Sequence, residues 1–538
     1  MKRSTIPIMI LALALGVSML ACEGGDLGAG DDDDDGDGAA DADTDADSDA
    51  DSDGDGDGEN ENQGDQYEAV GTNPFVYTAH DPFSTFAADV DTASYDIFRR
   101  DIELGYLPDP ASVRLEEYVN SFGYDYEAPA PDGEHPLAIS LAAAPGLAGY
   151  ESTLLRVGIQ GEVIPESDKP QANLVFLVDV SGSMSASNKL PLVQHLLTVA
   201  LDYLDPDDTI SLVTYASNTG VMLEPTPVAE KETIAAAIAA LQSGGSTSGA
   251  AGIDLAYQQA EAAFLEDGVN HVLLCTDGDF NVGPSTNGEL IALIEEKRES
   301  GITLTVLGFG VGNLNDSMME AISNAGNGTY AVISSVHQAE KYAQFGLLNG
   351  MFFIAKDVKL QVEFNPDQVL AYRLLGYENR DLADDDFTDD TVDAGEIGSG
   401  HRVTAYYELI FPGEEVPQPE GAPEPESGPM VDGVHEIASG DMVLVQVRYK
   451  EPDASQADAA FETSASMTSE QILPSVDEAG DDFKWAAAIA SFAEVLKQSP
   501  FADPADLEAI AATLASVETA DEDRLEFLGL FETALTLF

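Results

Sequence analysis

The middle of this chain predicts an α/β fold, a mostly parallel sheet with helices on both faces, inserted in a β-sandwich. Three observations carry that expectation. Leu174-Val-Phe-Leu-Val178, the run from His271 to Cys275 and the run from Ile302 to Leu307 are continuous apolar or β-branched stretches, as strands buried on both faces should be. Helical stretches stand between them at 190–204, 229–241, 251–264 and 288–298, and strand alternating with helix implies a parallel sheet covered on both sides. Beyond this part, Lys356 to Phe364 alternates cleanly, with Val358, Leu360, Val362 and Phe364 on one face. That is the signature of a half-buried antiparallel strand. Strand-like sequence also lies ahead of the α/β part, so the sandwich is expected to draw strands from both flanks.

Taken in order, the chain begins with Lys2 and Arg3, an apolar stretch from Ile6 to Val17 and the closing Met19-Leu20-Ala21-Cys22. The stretch is short for a bilayer span and reads as a secretory signal over 1–22. Small Ala21 before Cys22 resembles the lipobox of bacterial lipoproteins, whose Cys becomes the lipidated first residue. Met19 and Leu20 depart from that pattern, and ordinary signal cleavage is the alternative. Lipidation at Cys22 would place the protein in the cell envelope, anchored to a membrane and facing periplasm or surface.

From 23 to 68 the chain is an Asp-rich tether. Between Asp31 and Gly58 roughly every second residue is Asp, which repels itself and offers almost nothing apolar to bury, so it should be extended. Asp49, Asp51, Asp53 and Gly54 match the start of an EF-hand loop, but its twelfth position holds Asn60 in place of Glu, leaving weak calcium binding as the alternative to a solvated spacer. The formal charge of -77 over 538 residues argues against nucleic acid as a partner.

A small N-terminal unit is expected over 69–130, with helices near 92–104 and from Asp109-Pro110 through Phe122. Asp89 and Asp91 precede the first helix, where capping is favoured over metal binding. The first part of the sandwich follows over 131–172, the α/β domain over 173–350, the second part of the sandwich over 351–455 and an Ala-rich helical region over 456–538. Cys275 is one of two cysteines and lies inside an apolar run, so it reads as a small buried side chain. Trp485, the single tryptophan, reads as core.

The chemistry concentrates after the first buried strand. Asp179-Val-Ser181-Gly-Ser183 puts one carboxylate and two hydroxyls on a tight loop at the carboxyl end of that strand, the edge where open α/β sheets bind ligands. Thr247, in a Gly/Ser-rich loop before a helix, and Asp277, at the end of the next buried strand, add two oxygen donors. Oxygen donors without thiolate or imidazole suit a hard cation. Asp279 and Asn281 are candidates for the rim, with turn chemistry an equal reading. Asn313, Asn315 and Asp316 could approach the same edge, though capping the next helix is the favoured role.

These five residues resemble the metal-ion-dependent adhesion site of von Willebrand factor type A domains, which have a Rossmann-like fold. The resemblance implies that Asp179, Ser181, Ser183, Thr247 and Asp277 hold Mg²⁺, with Mn²⁺ or Ca²⁺ as substitutes. It also implies that the open coordination position takes a carboxylate from a partner protein. Phe83–Tyr95, Val113–Asn120, Glu363–Pro366 and Tyr372–Arg380 are similar to a bacterial envelope family of the YfbK type. That family carries a specific N-terminal domain, a type A domain and a C-terminal domain without defined activity. The expected role is therefore metal-dependent protein binding. No catalytic elbow, triad or phosphate loop is recognisable, and the seven His are scattered. The alternatives are an envelope hydrolase and a structural calcium-binding spacer.

Overall fold

The computed structural model describes residues 64–538 apart from 131–132, 148–149, 151, 246–248, 279–286, 432, 434 and 456–457. The signal segment with Cys22, most of the tether, Thr247, Asp279 and Asn281 lie outside the described residues.

Among the described residues the strands form three sheets. The central, six-stranded sheet runs in the order Tyr330–Ile333, Thr303–Phe309, Val269–Thr276, Ala172–Asp179, Thr209–Tyr215, Gly220–Pro227. Every pairing in it is parallel except the last, where Gly220–Pro227 forms an antiparallel edge. The α/β expectation thus holds, and the strand Ala172–Asp179 shows why its sequence is an unbroken apolar run. Leu174, Phe176 and Val178 pack under the helices Leu190–Ala200 and Lys231–Ala239, while Val175 and Leu177 pack under Gly249–Ala262 and Asp316–Ala325. Side chains alternate across a strand, so two covered faces demand apolar residues at every position.

The other two sheets are five-stranded, antiparallel, and form the sandwich. One orders Val76–Tyr77, Ala371–Leu375, Arg402–Ile410, Thr153–Gly161 and Leu137–Pro145. The second centres on Phe353–Phe364, paired with Phe83–Ala87, Gly395–Gly398 and Val443–Lys450, the last of which pairs with Phe461–Met467. Val157, Ile159, Val403 and Tyr407 from one sheet share a core with Leu360, Val362, Phe364 and Val445 from the other, and Phe364 stacks on Tyr372 at 4.3 Å between ring centroids. Strands from before and after the α/β part lie side by side in one sheet, so the α/β domain is an insertion.

The segments expected as a separate N-terminal unit and a separate helical tail are built into these layers. Val76–Tyr77 and Phe83–Ala87 are sandwich strands. Helices Ala93–Leu104 and Leu115–Asn120 share one core with Asp481–Leu496 and Glu522–Ala534, in which Trp485 is fully buried. The helix expected from Pro110 through Phe122 is broken: a short 3₁₀ turn at Pro110–Ser112 is capped by Asp109, Val113 and Arg114 are extended, and the α-helix starts at Leu115. The break frees Arg114 to reach across to the α/β domain. No described helix is long and apolar enough to cross a membrane.

Candidate metal centre

Asp179 is the last residue of the first buried strand and is fully buried. Its Oδ1 accepts the Ser181 backbone N–H at 2.7 Å, so the carboxylate itself tightens the turn that follows. The Ser181 and Ser183 hydroxyls lie 2.8 Å apart. Thr276 Oγ1, on the adjacent strand, is 3.5 Å from Asp179 Oδ2, and Asp277 follows it, fully buried. The loop that precedes the helix Gly249–Ala262 is stitched to the Asp179 loop by backbone bonds from Gly244 N–H to Val180 O at 2.7 Å and from Gly182 N–H to Gly245 O at 3.0 Å. Four of the five expected donors thus sit on two neighbouring strand ends, and the loop that carries the fifth is bonded to the first of them.

Burial pushes the Asp277 carboxyl up, but hydrogen bonds from Lys189, Ser183 and Asn313 outweigh it and hold the group below the usual carboxylate range. Lys189 Nζ is 2.9 Å from Asp277 Oδ2 and 2.8 Å from Asn313 Oδ1. Its aliphatic stem crosses Gly310, where a Cβ would meet Lys189 Cε at 2.3 Å and where φ is +90°, a position that glycine alone occupies without strain. Lys189 was not among the candidates. The available signal was a lone basic residue directly ahead of an apolar helix, in a chain with 22 Lys and Arg against 99 Asp and Glu.

Asn313 lies at the expected edge, through Lys189, whereas Asn315 caps the helix Asp316–Ala325 by accepting from Met318 N–H. Asp316 pairs with Arg114. Asp89 and Asp91 do not cap a helix: Asp89 Oδ1 accepts from Asp91 N–H, Asp91 Oδ1 accepts from Tyr330 N–H, and Arg380 pairs with both carboxylates at 2.9 and 3.2 Å. The half-buried Arg380 guanidinium gives these two acids a stronger use than a helix terminus. Cys275 is fully buried, and burial pushes its thiol up.

All the donors are oxygen, two carboxylates and two hydroxyls among the described residues, with an ammonium on one carboxylate. Gathered at a sheet edge, with the ammonium balancing one of the carboxylates, these groups form a donor set that fits a hard divalent ion.

The von Willebrand factor type A domain model matches residues 173–344, a second von Willebrand factor model matches 61–156, and the model of the C-terminal part of uncharacterized protein YfbK matches 349–537. Among solved structures the chain is similar to a von Willebrand factor type A protein from Catenulispora acidiphila, at 16% identity and TM-score 0.39, covering 73% of this chain and 88% of that one. It is also similar to proximal thread matrix protein 1 from the mussel byssus with a zinc-occupied MIDAS motif, at 19% identity and TM-score 0.27, covering 38% and 46%. Among curated proteins it is 35% identical, over 87% of its own length and 81% of the relative's, to the uncharacterized protein YfbK of Escherichia coli strain K12. On that identity and extent, the chain belongs to the YfbK family, and it carries a von Willebrand factor type A domain.

Proposed function

We propose that this chain is a metal-dependent protein-binding lipoprotein of the bacterial cell envelope, and not an enzyme. The observation that carries the reading is the meeting of Asp179, Ser181, Ser183 and Asp277 at the carboxyl edge of the central sheet, bonded to the loop of Thr247. These five residues would hold Mg²⁺, or Mn²⁺ or Ca²⁺ in its place, and the bound ion would supply a Lewis-acidic seat for a partner's carboxylate. The chain's own residues do the rest. Asp179 fixes the serine turn, and Ser181 and Ser183 present their hydroxyls side by side. Lys189 balances Asp277 until the ion arrives.

The folded part is strongly acidic, so a partner offering a carboxylate meets repulsion at long range. Capture should therefore strengthen as salt screens that repulsion. Cys22 would anchor the chain to the membrane, with the Asp-rich tether holding the sandwich and the α/β domain away from the lipid.

The test is affinity capture from native envelopes by the full chain, with Mg²⁺ or with chelator, compared with Asp179→Ala. A partner retained only by the unaltered protein with Mg²⁺ supports the reading. The same partners under all conditions would overturn it. Cys22→Ser should release the protein from the membrane fraction, and retention there would remove the anchor from the proposal.

A further inference from the structure

A second group of carboxylates lies at the other end of the central sheet. Asp357 sits on the sandwich strand Phe353–Phe364, at a bulge where the pairing register shifts on both sides and where its own φ is +51°. Asp393 and Glu396 flank the start of the short neighbouring strand Gly395–Gly398. One carboxylate oxygen from each of the three lies within 4.8 Å of the others, the span open to oxygens held at about 2.4 Å from one shared ion.

The cleft they line, about 510 Å³, runs along the seam between the two lobes, with Arg298 and Thr303 of the α/β domain on one wall and Lys356 and Asp453 of the sandwich on the other. It is deep enough for waters to complete a coordination shell. Two of the acids have cationic neighbours: Arg298 pairs with Asp393, and Lys450 Nζ is 2.9 Å from Asp357. Glu396 has none. It is 8% exposed, and its Oε1 is a buried oxygen with no hydrogen-bond donor. Burial, and then the charges of Asp393 and Asp357, push its carboxyl well above the usual range. A buried carboxyl oxygen with no donor and no cation in contact is unfavourable unless a proton or a bound cation neutralises it.

We propose that Asp357, Asp393 and Glu396 form a calcium-class cation site at the seam between the sandwich and the α/β domain. Carboxylates on a bulge and a short strand, with room for water, suit an ion that accepts six to eight oxygens in loose geometry over one that demands a tight octahedron. Arg298 then has a second role, bringing the end of the helix Asn287–Arg298 onto a ligand of the ion and so tying the lobes together.

The test uses the full-length chain with Asp179→Ala, which silences the edge site, and reads the melting temperature during CaCl₂ titration with and without Glu396→Gln. The proposal expects a saturable rise in melting temperature that Glu396→Gln removes. Weak binding along the Asp-rich tether is common to both chains and drops out of the comparison. Equal rises in both chains, or none in either, would overturn the site. An equal rise with Mg²⁺ at the same concentration would overturn the calcium assignment. Should Glu396→Gln fail to fold, Tb³⁺-soaked crystals of the Asp179→Ala chain decide: an anomalous peak among the three carboxylates supports the site, and its absence rejects it.

Discussion

The Lys189 ammonium lies 2.9 Å from Asp277 Oδ2, with both side chains buried, so a residue of the chain's own occupies the cation's side of the candidate metal centre. On the proposed reading this pair sets a competition: a divalent ion would have to draw Asp277 away from Lys189, which would then lean on Asn313. Lys189→Met removes the competitor and should raise divalent-ion affinity by about tenfold or more, since ~1.4 kcal/mol of relieved competition is already a factor of ten. The same variant leaves Asp277 buried without its cation, at a cost of about 3–5 kcal/mol in the metal-free protein. Calorimetric titration with Mg²⁺ and melting curves with and without the ion check both halves. Weaker Mg²⁺ binding in the variant would show that Lys189 assists the site.

Arg114 is a comparable device on the opposite face of the same edge. It is buried, pairs with Glu117 on the helix that starts one residue after it, and reaches Asp316 at 2.6 and 3.3 Å and Glu320 at 3.6 Å in the α/β domain. Glu117 Oε2 in turn accepts the Ser94 N–H at 2.7 Å. Arg114→Leu should therefore lower stability by about 3–5 kcal/mol, because it strands buried carboxylates without removing them. The urea midpoint should fall at unchanged slope. A loss below 1 kcal/mol would mean that water reaches the acids readily.

What could be read in advance follows from periodicity. The runs at Leu174–Val178 and His271–Cys275 and the alternation at Lys356–Phe364 each imposed one pattern strongly enough to be seen alone. Gly220–Pro227 lacked such a pattern, since it carries two prolines and lies along the sheet edge mostly half-buried, with no fully buried residue, where proline is tolerated. Tyr330–Ile333 is four residues long, too short for a period to register. Asp179, Ser181, Ser183 and Asp277 were legible because strand ends fix where their side chains arrive. Lys189 was not, because its role depends on Asp277 and Asn313, which lie 88 and 124 residues further along the chain. The division of labour between Asn313 and Asn315 likewise exists only after folding.

Glu116 makes a pH prediction. Burial first, then the charges of Glu378 and Asp89, push its carboxyl up to about 7 from 4.5. Its Oε2 accepts the Tyr377 N–H at 2.9 Å, while Oε1 has no hydrogen-bond partner. The folded chain then holds a proton that the unfolded chain has released, so this residue's contribution to stability falls as pH rises from about 4.5 to about 7 and is level outside that window. The slope it adds is at most ~1.4 kcal/mol per pH unit. Glu116→Gln should flatten the wild-type stability profile across that interval, measured by urea denaturation at several pH values. Parallel profiles for the two chains would show that Glu116 keeps its charge when folded.

Phe527 tests whether the C-terminal helices are structural partners of the N-terminal ones. Its ring lies 5.6 Å from both Phe122 and Trp485, 6.2 Å from Phe98 and 6.0 Å from Phe492, and the side chain is fully buried. It therefore joins helices that stand about four hundred residues apart in sequence into one aromatic cluster, with Arg524 on the same helix lying over the Trp485 ring at 5.2 Å. Phe527→Ala leaves a cavity among rings that are held by neighbours on several sides and cannot collapse inward, so the cost should be about 3–5 kcal/mol. Trp485 is the only tryptophan in the chain, so its fluorescence reports on this cluster alone and should shift to the red as water gains access. Unchanged emission with a stability loss under 1 kcal/mol would mean that the helices are docked weakly. In that case the sandwich alone, and not the shared aromatic core, would hold the two ends of the folded chain together.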